Sequence, residues 1–204
     1  MVWYEEEVVR LEAEKAANKE ETRLVFFGSS SIRLWETLSL DFADYRPVNF
    51  GFGGSTLAAC GWFFERIFKD VHPWAIIIYA GDNDLGDGRH PEEVFLFYKQ
   101  LLAFIRKKYG NIPAGFISIK PSIARWDIVD KIRQTNRLIE ADIRVQNDNT
   151  CFIDIFQNMT DKTGYPKQEF LMPDGLHINE LGYAMWKEVI MSYAQDGRLQ
   201  LEKG

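Results

Sequence analysis

The apolar run from Trp74 to Ala80 is the feature that most constrains the fold. It reads WAIIIYA and contains no charged residue, so it predicts a β-strand that is covered on both faces. Such strands are typical of the centre of a parallel sheet that has helices on either side. The run therefore favours an α/β fold, provided that helical segments flank it.

Further strands and helices alternate along the rest of the chain. Four more strands are predicted at Leu24–Phe27, Arg46–Asn49, Ala114–Ile119 and Thr150–Ile155. Helical patterns are predicted over residues 3–18, 56–69, 91–108, 127–146 and 179–194, whereas 32–40 is a helix start or an irregular segment. This alternation predicts a five-stranded parallel sheet in a three-layer α/β/α sandwich.

The length and the absence of linker-like composition predict one domain over residues 1–204, in which residues 1–20 form an N-terminal packing helix. No apolar run reaches the length of a membrane span. The first residues are acidic and lack the basic and apolar regions of a signal peptide, so a cytoplasmic location is expected. Secretion is the alternative if a leader has been removed.

Composition narrows the classes of partner. A net charge of −6 argues against a nucleic-acid surface. Cys60 and Cys151 lie far apart without a CxxC pattern, so two buried thiols are expected rather than a metal framework. The sequence makes no prediction of the oligomeric state.

Small and polar residues follow four of the predicted strands. These segments are Gly28–Ser31, Gly51–Thr56, Gly81–Asp84 and Lys120–Ser122. The carboxyl ends of parallel strands share one edge of a sheet, where ligands bind in open α/β folds. The segments are therefore expected to converge, and residues 173–177, after the last strand, can close over the same edge.

Asp174 and His177 are the one histidine–carboxylate pair at a useful spacing. On a helical turn, positions i and i+3 share a face, so the carboxylate can orient one ring nitrogen and leave the other to deprotonate a serine. The alternative is that Asp174 caps the final helix and His177 is a surface residue. His72 and His90 each precede a proline and are assigned no role.

A serine nucleophile also needs donors for the oxyanion that develops on the substrate. Gly54 offers an unobstructed backbone N–H, and Asn83 offers a side-chain amide after the central strand. The alternatives are a glycine selected for positive φ and an asparagine selected for a turn. The occurrence of all these groups in order on one sheet edge favours catalysis.

These segments together resemble the SGNH (GDSL-type) hydrolases, from about Val25 to about Trp186. The matching blocks are Phe27–Ile32, Asn49–Thr56, Gly81–Asp84 and Asp174–His177. The resemblance implies a flavodoxin-like five-stranded parallel sheet, the fold of SGNH hydrolases, and no metal or organic cofactor.

The resemblance also implies a role for each site residue. Ser30 is the nucleophile, Asp174 the orienting acid and His177 the base. The oxyanion hole consists of Ser30, Gly54 and Asn83.

Two positions depart from the usual blocks. Ser29 replaces an aspartate before the nucleophile, and Asp82 replaces a glycine before the asparagine. These departures bear on the contacts around the triad rather than on the triad itself. Ser29 and Ser31 are expected to flank the nucleophile as loop or capping residues.

The segment from Ile119 to Trp126 resembles a motif of one branch of the same family. Its Lys120 and Arg125 either meet an anionic group of the substrate or pair with surface acids, and pairing is slightly favoured.

The expected function is therefore a serine esterase, or acylhydrolase, that cleaves small-molecule esters of short acyl groups through an acyl-enzyme. Alternatives within the family are a carbohydrate O-acetyl esterase, a lysophospholipase and a thioesterase. Aromatic residues near the predicted loops can stack on sugars or pack on acyl chains, although core packing explains most of them. They are Phe50, Phe52, Trp62 and Trp126.

Other classes remain open. A flavodoxin-like module can bind phosphate or another ligand without chemistry at serine, although the P-loop and GxGxxG signatures are absent. A non-catalytic relative that binds carbohydrate or lipid is a third class. The α/β-hydrolase fold fits less well, because its G-x-S-x-G elbow would need glycine at the position of Ile32.

Overall fold

The computed structural model describes residues 1–17, 24–146 and 148–202, except for the side chains of residues 16 and 17. Its five strands are β1 Leu24–Gly28, β2 Pro47–Gly51, β3 Ala75–Tyr79, β4 Ala114–Ile117 and β5 Thr150–Ile153. They pair in parallel in the order β2-β1-β3-β4-β5. The predicted five-stranded parallel sheet is confirmed, with β3 at its centre.

The α-helices are α1 Glu5–Ala17, α2 Ser30–Arg33, α3 Leu38–Asp41, α4 Leu57–Ile67, α5 Asp82–Gly86, α6 Pro91–Tyr109, α7 Val129–Gln146 and α8 Glu180–Gln195. Short 3-10 turns occur at Val2–Tyr4, Ala43–Tyr45, Ile123–Ile128 and Gln168–Phe170. The five long helices lie where the sequence predicts them. The expected end of the first helix near Asn18 lies outside the described residues.

Alternate residues of β3 enter two different cores. Ile76 and Ile78 join a cluster with buried residues of α1, α4, α6 and α7, whereas Ile77 and Tyr79 join a cluster with α8 and the segment after α2. Because successive side chains of a strand point to opposite faces, helices cover both faces of the sheet. The result is the three-layer sandwich that the alternation predicts.

The helix α1 packs its apolar side on this scaffold. Val8 and Leu11 are buried in the cluster that includes α4. On its polar side, Glu7 accepts the N–H of Gly53 in the loop after β2, and Arg10 donates to the carbonyl of Gly51.

Cys60 and Cys151 are buried and unpaired, as predicted. Among the residues that the structure describes, no helix combines the length and apolar character needed to cross a bilayer.

Candidate active site

The end of β1 sets the position of the serine cluster. Gly28 has a φ of +147°, and a Cβ there would lie 1.8 Å from the carbonyl oxygen of Tyr79, so only glycine allows this approach to β3. The Ser29 N–H donates to the same oxygen at 2.9 Å, and α2 begins directly afterwards with Ser30. Ser29 and Ser31 are 2% and 3% exposed, whereas Ser30 is half-buried. Ser30 is thus the most accessible of the three serines.

The short helix α2 is held from two sides. The Asn49 amide donates to the carbonyl of Ile32 at 2.7 Å. From the other side, the Tyr183 hydroxyl of α8 donates to the carbonyl of Ser31 at 3.0 Å. The second bond joins the helix that begins with Ser30 to the helix that follows His177.

Asp174 and His177 contact each other directly. The histidine Nδ1 lies 2.6 Å from Asp174 Oδ2, while Asp174 Oδ1 accepts the N–H groups of Leu176 and His177, both at 2.9 Å. The hydrogen bond from His177 and these backbone donors lower the pKa of Asp174 to about 2. An ionised carboxylate only accepts, so Nδ1 carries a proton and Nε2 is not needed for this contact.

The pair is built by a turn and not by the helical turn that the spacing suggests. Gly175 has a φ of +66°, and the Met172 N–H donates to the carbonyl of His177 at 2.7 Å across the turn. The cap of α8 is Asn179, whose side chain accepts the Gly182 N–H at 3.0 Å. The alternative in which Asp174 caps the final helix is therefore wrong.

Gly54 lies in the loop after β2. Its φ is +69°, a backbone conformation that favours glycine. The conformational reason for a glycine at this position is therefore present, whether or not its N–H also binds an oxyanion. The Tyr4 hydroxyl donates to its carbonyl at 3.1 Å, and the preceding N–H, that of Gly53, donates to the Glu7 carboxylate at 3.1 Å. Residues of the N-terminal segment thus hold the peptide units on both sides of the Gly54 N–H.

Asn83 lies on the short helix α5, directly after the central strand β3 and its Gly81. Its Nδ2 donates to the carbonyl of Ser55 at 3.0 Å, and its Oδ1 accepts from Arg125 Nη2 at 3.0 Å. The first bond brings Asn83 next to the loop that carries Gly54. A primary amide has two N–H bonds, so one donor of Nδ2 remains for a ligand.

Lys120 and Arg125 converge on a single buried carboxylate. Lys120 Nζ lies 3.1 Å from Asp82 Oδ2, and Arg125 Nη1 lies 2.6 Å from Asp82 Oδ1. Burial alone would raise the pKa of Asp82, but the two cations outweigh it and hold that pKa below its usual value. The predicted pairing with acids is confirmed, but the expectation that these acids lie on the surface is wrong.

Asp84 has a structural contact that the sequence analysis missed. Its Oδ2 accepts the Leu57 N–H at 2.8 Å, at the first residue of α4. Burial raises the pKa of Asp84 to about 6, although backbone donors oppose that shift. The carboxylate joins α5 to the end of the Gly54 loop, and its only sequence signal is its place beside Asn83.

Of the four aromatic residues near the predicted loops, two lie in the core, one is partly buried and one is exposed. Phe50 and Phe52 are buried in the core, which confirms the packing role. Trp62 is 71% exposed on α4, and Trp126 packs against Tyr165 with ring centroids 4.9 Å apart.

The fold and the residues at this sheet edge define an α/β/α hydrolase of the SGNH class. Residues 28–185 match the GDSL-like lipase/acylhydrolase family, and the chain belongs to that family of ester-bond hydrolases. No curated protein sequence matches the chain.

Solved structures of low sequence identity share the fold. A protein from Streptococcus pneumonia named for platelet activating factor superposes with a TM-score of 0.82 at 20% identity, over 93% of this chain and 92% of that one. A GDSL-like lipase from Bacteroides thetaiotaomicron VPI-5482 superposes with 0.79 at 21% identity, over 93% and 98%. A carbohydrate esterase family 3 structure from Talaromyces cellulolyticus gives 0.67 at 17% identity, over 86% and 97%.

Proposed function

We propose that the protein is a serine esterase in which Ser30, His177 and Asp174 form the catalytic triad. The observation that carries this proposal is the 2.6 Å contact between His177 Nδ1 and Asp174. That contact orients the ring and leaves Nε2 to accept the proton of Ser30 Oγ. The accessibility of Ser30 and the Tyr183 bond between α8 and α2 support the assignment.

The reaction proceeds through an acyl-enzyme. Ser30 Oγ attacks the ester carbonyl carbon while its proton moves to His177 Nε2, which gives a tetrahedral oxyanion. When the carbon–oxygen bond to the alcohol breaks, His177 returns the proton to the leaving alkoxide. Water then attacks the acyl-enzyme with the same proton transfers, releasing the carboxylic acid and restoring the Ser30 hydroxyl.

Three donors stabilise the oxyanion in this proposal: the N–H of Ser30, the N–H of Gly54 and the side-chain amide of Asn83. They follow β1, β2 and β3, which are neighbours in the sheet. The hydrogen bond from Asn83 to the carbonyl of Ser55 supports their proximity, because Ser55 follows Gly54 directly.

We infer that the substrates are uncharged esters of short acyl groups, with acetylated carbohydrates as the favoured class. An open cavity of about 480 Å³ is lined by Leu34, which follows α2, and by Met172 and Ile178, on either side of the turn that carries His177. Its lining residues are Leu34, Glu36, Thr37, Met172, Ile178, Asn179, Glu180 and Tyr183. The two carboxylates, Glu36 and Glu180, disfavour the negatively charged phosphate of a lysophospholipid, whereas the mixed polar and apolar lining suits an acylated sugar.

Covalent labelling tests the nucleophile. A fluorophosphonate should form an adduct that maps to Ser30, and Ser30→Ala should abolish both the adduct and hydrolysis of p-nitrophenyl acetate. Ser29→Ala is the matched control, because Ser29 is a buried neighbour whose side chain makes no capping bond. Substantial turnover by folded Ser30→Ala would refute the assignment, and a folded wild type without an adduct would favour a ligand-binding module.

A substrate panel tests the class of ester. We expect kcat/KM to fall from p-nitrophenyl acetate to longer chains, and acetylated saccharides to exceed lysophospholipids and acyl thioesters. Preference for a lysophospholipid would contradict the inference from the carboxylates of the cavity.

A further inference from the structure

The buried charges behind Asn83 form a connected network. Lys120 is only 1% exposed, and it shares the carboxylate of Asp82 with Arg125. The second arm of the Arg125 guanidinium donates to Asn83 Oδ1 at 3.0 Å. A rigid planar fork thus joins the buried carboxylate to the amide.

This bond determines which end of the Asn83 amide faces the loop after β2. A guanidinium only donates hydrogen bonds, so Arg125 requires the acceptor Oδ1 as its neighbour and opposes an amide flip that would put the donor Nδ2 against it. The fixed orientation directs Nδ2 to the carbonyl of Ser55 at 3.0 Å. A hydrogen bond from a charged donor is also stronger than one between neutral groups, so the bond from Arg125 draws electron density towards Asn83 Oδ1 and strengthens the Nδ2 donors.

The local sequence is adapted to the guanidinium. A Cβ at Gly86 would lie 2.8 Å from the Cζ atom of Arg125, so the absence of a side chain on α5 leaves room for it. The Asp82 carboxylate lies 3.1 Å from Lys120 Nζ, and both side chains are buried, so removing the carboxylate would leave a buried cation without this counter-ion. Next to Arg125, the Ala124 N–H donates to the carbonyl of Gly175 at 3.1 Å, in the turn that carries Asp174.

We propose that Arg125, held by Asp82 and Lys120, is a positioning residue that orients and polarises the Asn83 amide as an oxyanion donor. This inference rests on the proposed esterase function. Arg125 acts through Asn83 and does not itself contact the substrate. The bond matters most in the transition state, where the negative charge develops, so its loss lowers kcat more than it changes KM.

Three variants separate this role from a structural one. Loss of one oxyanion donor costs about 10²–10³ in turnover, so Arg125→Ala should lower kcat by about 10²-fold with KM within about threefold. Methylguanidine should restore part of the kcat of Arg125→Ala. Arg125→Lys keeps the charge but lacks the fork, so it should recover only part of the loss.

Gly86→Ala tests the geometry with the arginine retained, because the added methyl displaces the guanidinium from Asn83. Gly86→Ala should therefore lower kcat, as Arg125→Ala does. Gly61→Ala is its control, since a Cβ there meets only Phe104 at an ordinary 3.8 Å. Each variant is first compared with the wild type by circular dichroism and thermal unfolding, so that Gly86→Ala still tests the proposal if Arg125→Ala fails to fold.

The outcomes separate the two proposals. If the wild type hydrolyses esters in a Ser30-dependent manner, but folded Arg125→Ala and Gly86→Ala keep kcat within twofold, the positioning role is overturned while the esterase function stands. A loss confined to KM overturns it as well. If the wild type has no Ser30-dependent hydrolysis, the esterase function fails and the role of Arg125 fails with it. A kcat loss with rescue by methylguanidine supports the proposal.

Discussion

The contacts of Glu7 predict that this residue of the N-terminal helix supports esterase activity, because it holds a loop at the edge of the sheet in place. Its carboxylate accepts the Gly53 N–H at 3.1 Å and lies 2.7 Å from Nε of Arg33, the last residue of α2. It therefore joins the loop that carries Gly54 to the helix that begins with Ser30. Glu7→Ala removes both contacts at once.

The size of the effect follows from these contacts. A hydrogen bond to a charged acceptor contributes about 1.5–3 kcal/mol, and an ion pair of this exposure adds up to about 1 kcal/mol. Because the Arg33 side chain is 40% exposed, solvent screening leaves its ion pair with Glu7 a small contribution, and the hydrogen bond from Gly53 dominates. We therefore expect a stability loss of about 1.5 kcal/mol, at the lower end of this range. The same energy lost from the anchored loop shifts the equilibrium between its anchored and released forms by about 10-fold, since 1.36 kcal/mol is tenfold in an equilibrium constant.

The assay compares kcat/KM for p-nitrophenyl acetate with urea unfolding for each variant. Glu14→Ala is the matched control, because Glu14 lies on the same helix and pairs with Arg10 at 2.7 Å on the exposed side. Glu7→Ala should lose about 10-fold in kcat/KM, and adding Tyr4→Phe should deepen the loss because the Tyr4 hydroxyl holds the Gly54 carbonyl. If Glu7→Ala retains wild-type kcat/KM, the helix has a packing role alone.

Three further predictions concern the scaffold. Gly28→Ala should lower the free energy of urea unfolding by more than about 4 kcal/mol, and Gly88→Ala by about 1–2 kcal/mol. Both glycines have positive φ, but only a Cβ at Gly28 would meet a backbone oxygen at 1.8 Å, so equal losses would contradict this reasoning. The pKa of Asp84 is raised from 3.8 to about 6, so the folded state binds the proton more tightly and stability falls as pH rises from about 4 to 6. Asp84→Asn should remove this pH dependence of stability, and an unchanged dependence would mean that another group causes it. Burial raises the pKa of both thiols, that of Cys151 to about 11, so Ellman's reagent should react with neither Cys60 nor Cys151 at pH 8 until urea unfolds the chain, and a fast native reaction would contradict the burial.

The sheet is predictable because each strand is a local apolar signal. The run Trp74–Ala80 contains β3, and the glycine at its end marks the edge at which the chain turns. The helix α5 is not predictable in this way, since Asp82–Gly86 is too short to show a helical period. Its N-cap is Gly81, whose φ of +114° reflects the tertiary path of the chain.

The pairing of Asp174 with His177 shows that a correct prediction can have a different physical cause. A spacing of three residues suits both a helical turn and a turn closed by an aspartate side chain. Residues 172–177 adopt the second, with Asp174 Oδ1 accepting two backbone N–H groups. The sequence contains the glycine that favours this turn, Gly175, but not the bonds that close it.

The acid that pairs with Lys120 and Arg125 is not predictable from local pattern. Asp82 is 38 positions from Lys120 in the chain, and the two meet only because β3 and β4 are adjacent. The available signal is a charged residue, Asp82, that follows shortly after the buried strand β3. A charge at a strand end in a buried sheet requires a counter-ion, and a lysine at the end of the neighbouring strand supplies it.

Two of the proposed oxyanion donors, the Gly54 N–H and the Asn83 amide, are thus held by charged residues from different parts of the chain. Glu7 of α1 anchors the peptide before Gly54, and Arg125 anchors Asn83. Because neither charge needs to contact the substrate, substitutions at either site should change the preorganisation of the donors rather than the substrate contacts. If Glu7→Ala and Arg125→Ala both lower kcat and their free-energy effects add in the double variant, the two donors are positioned independently. A combined loss smaller than the sum would mean that the two positions are energetically coupled.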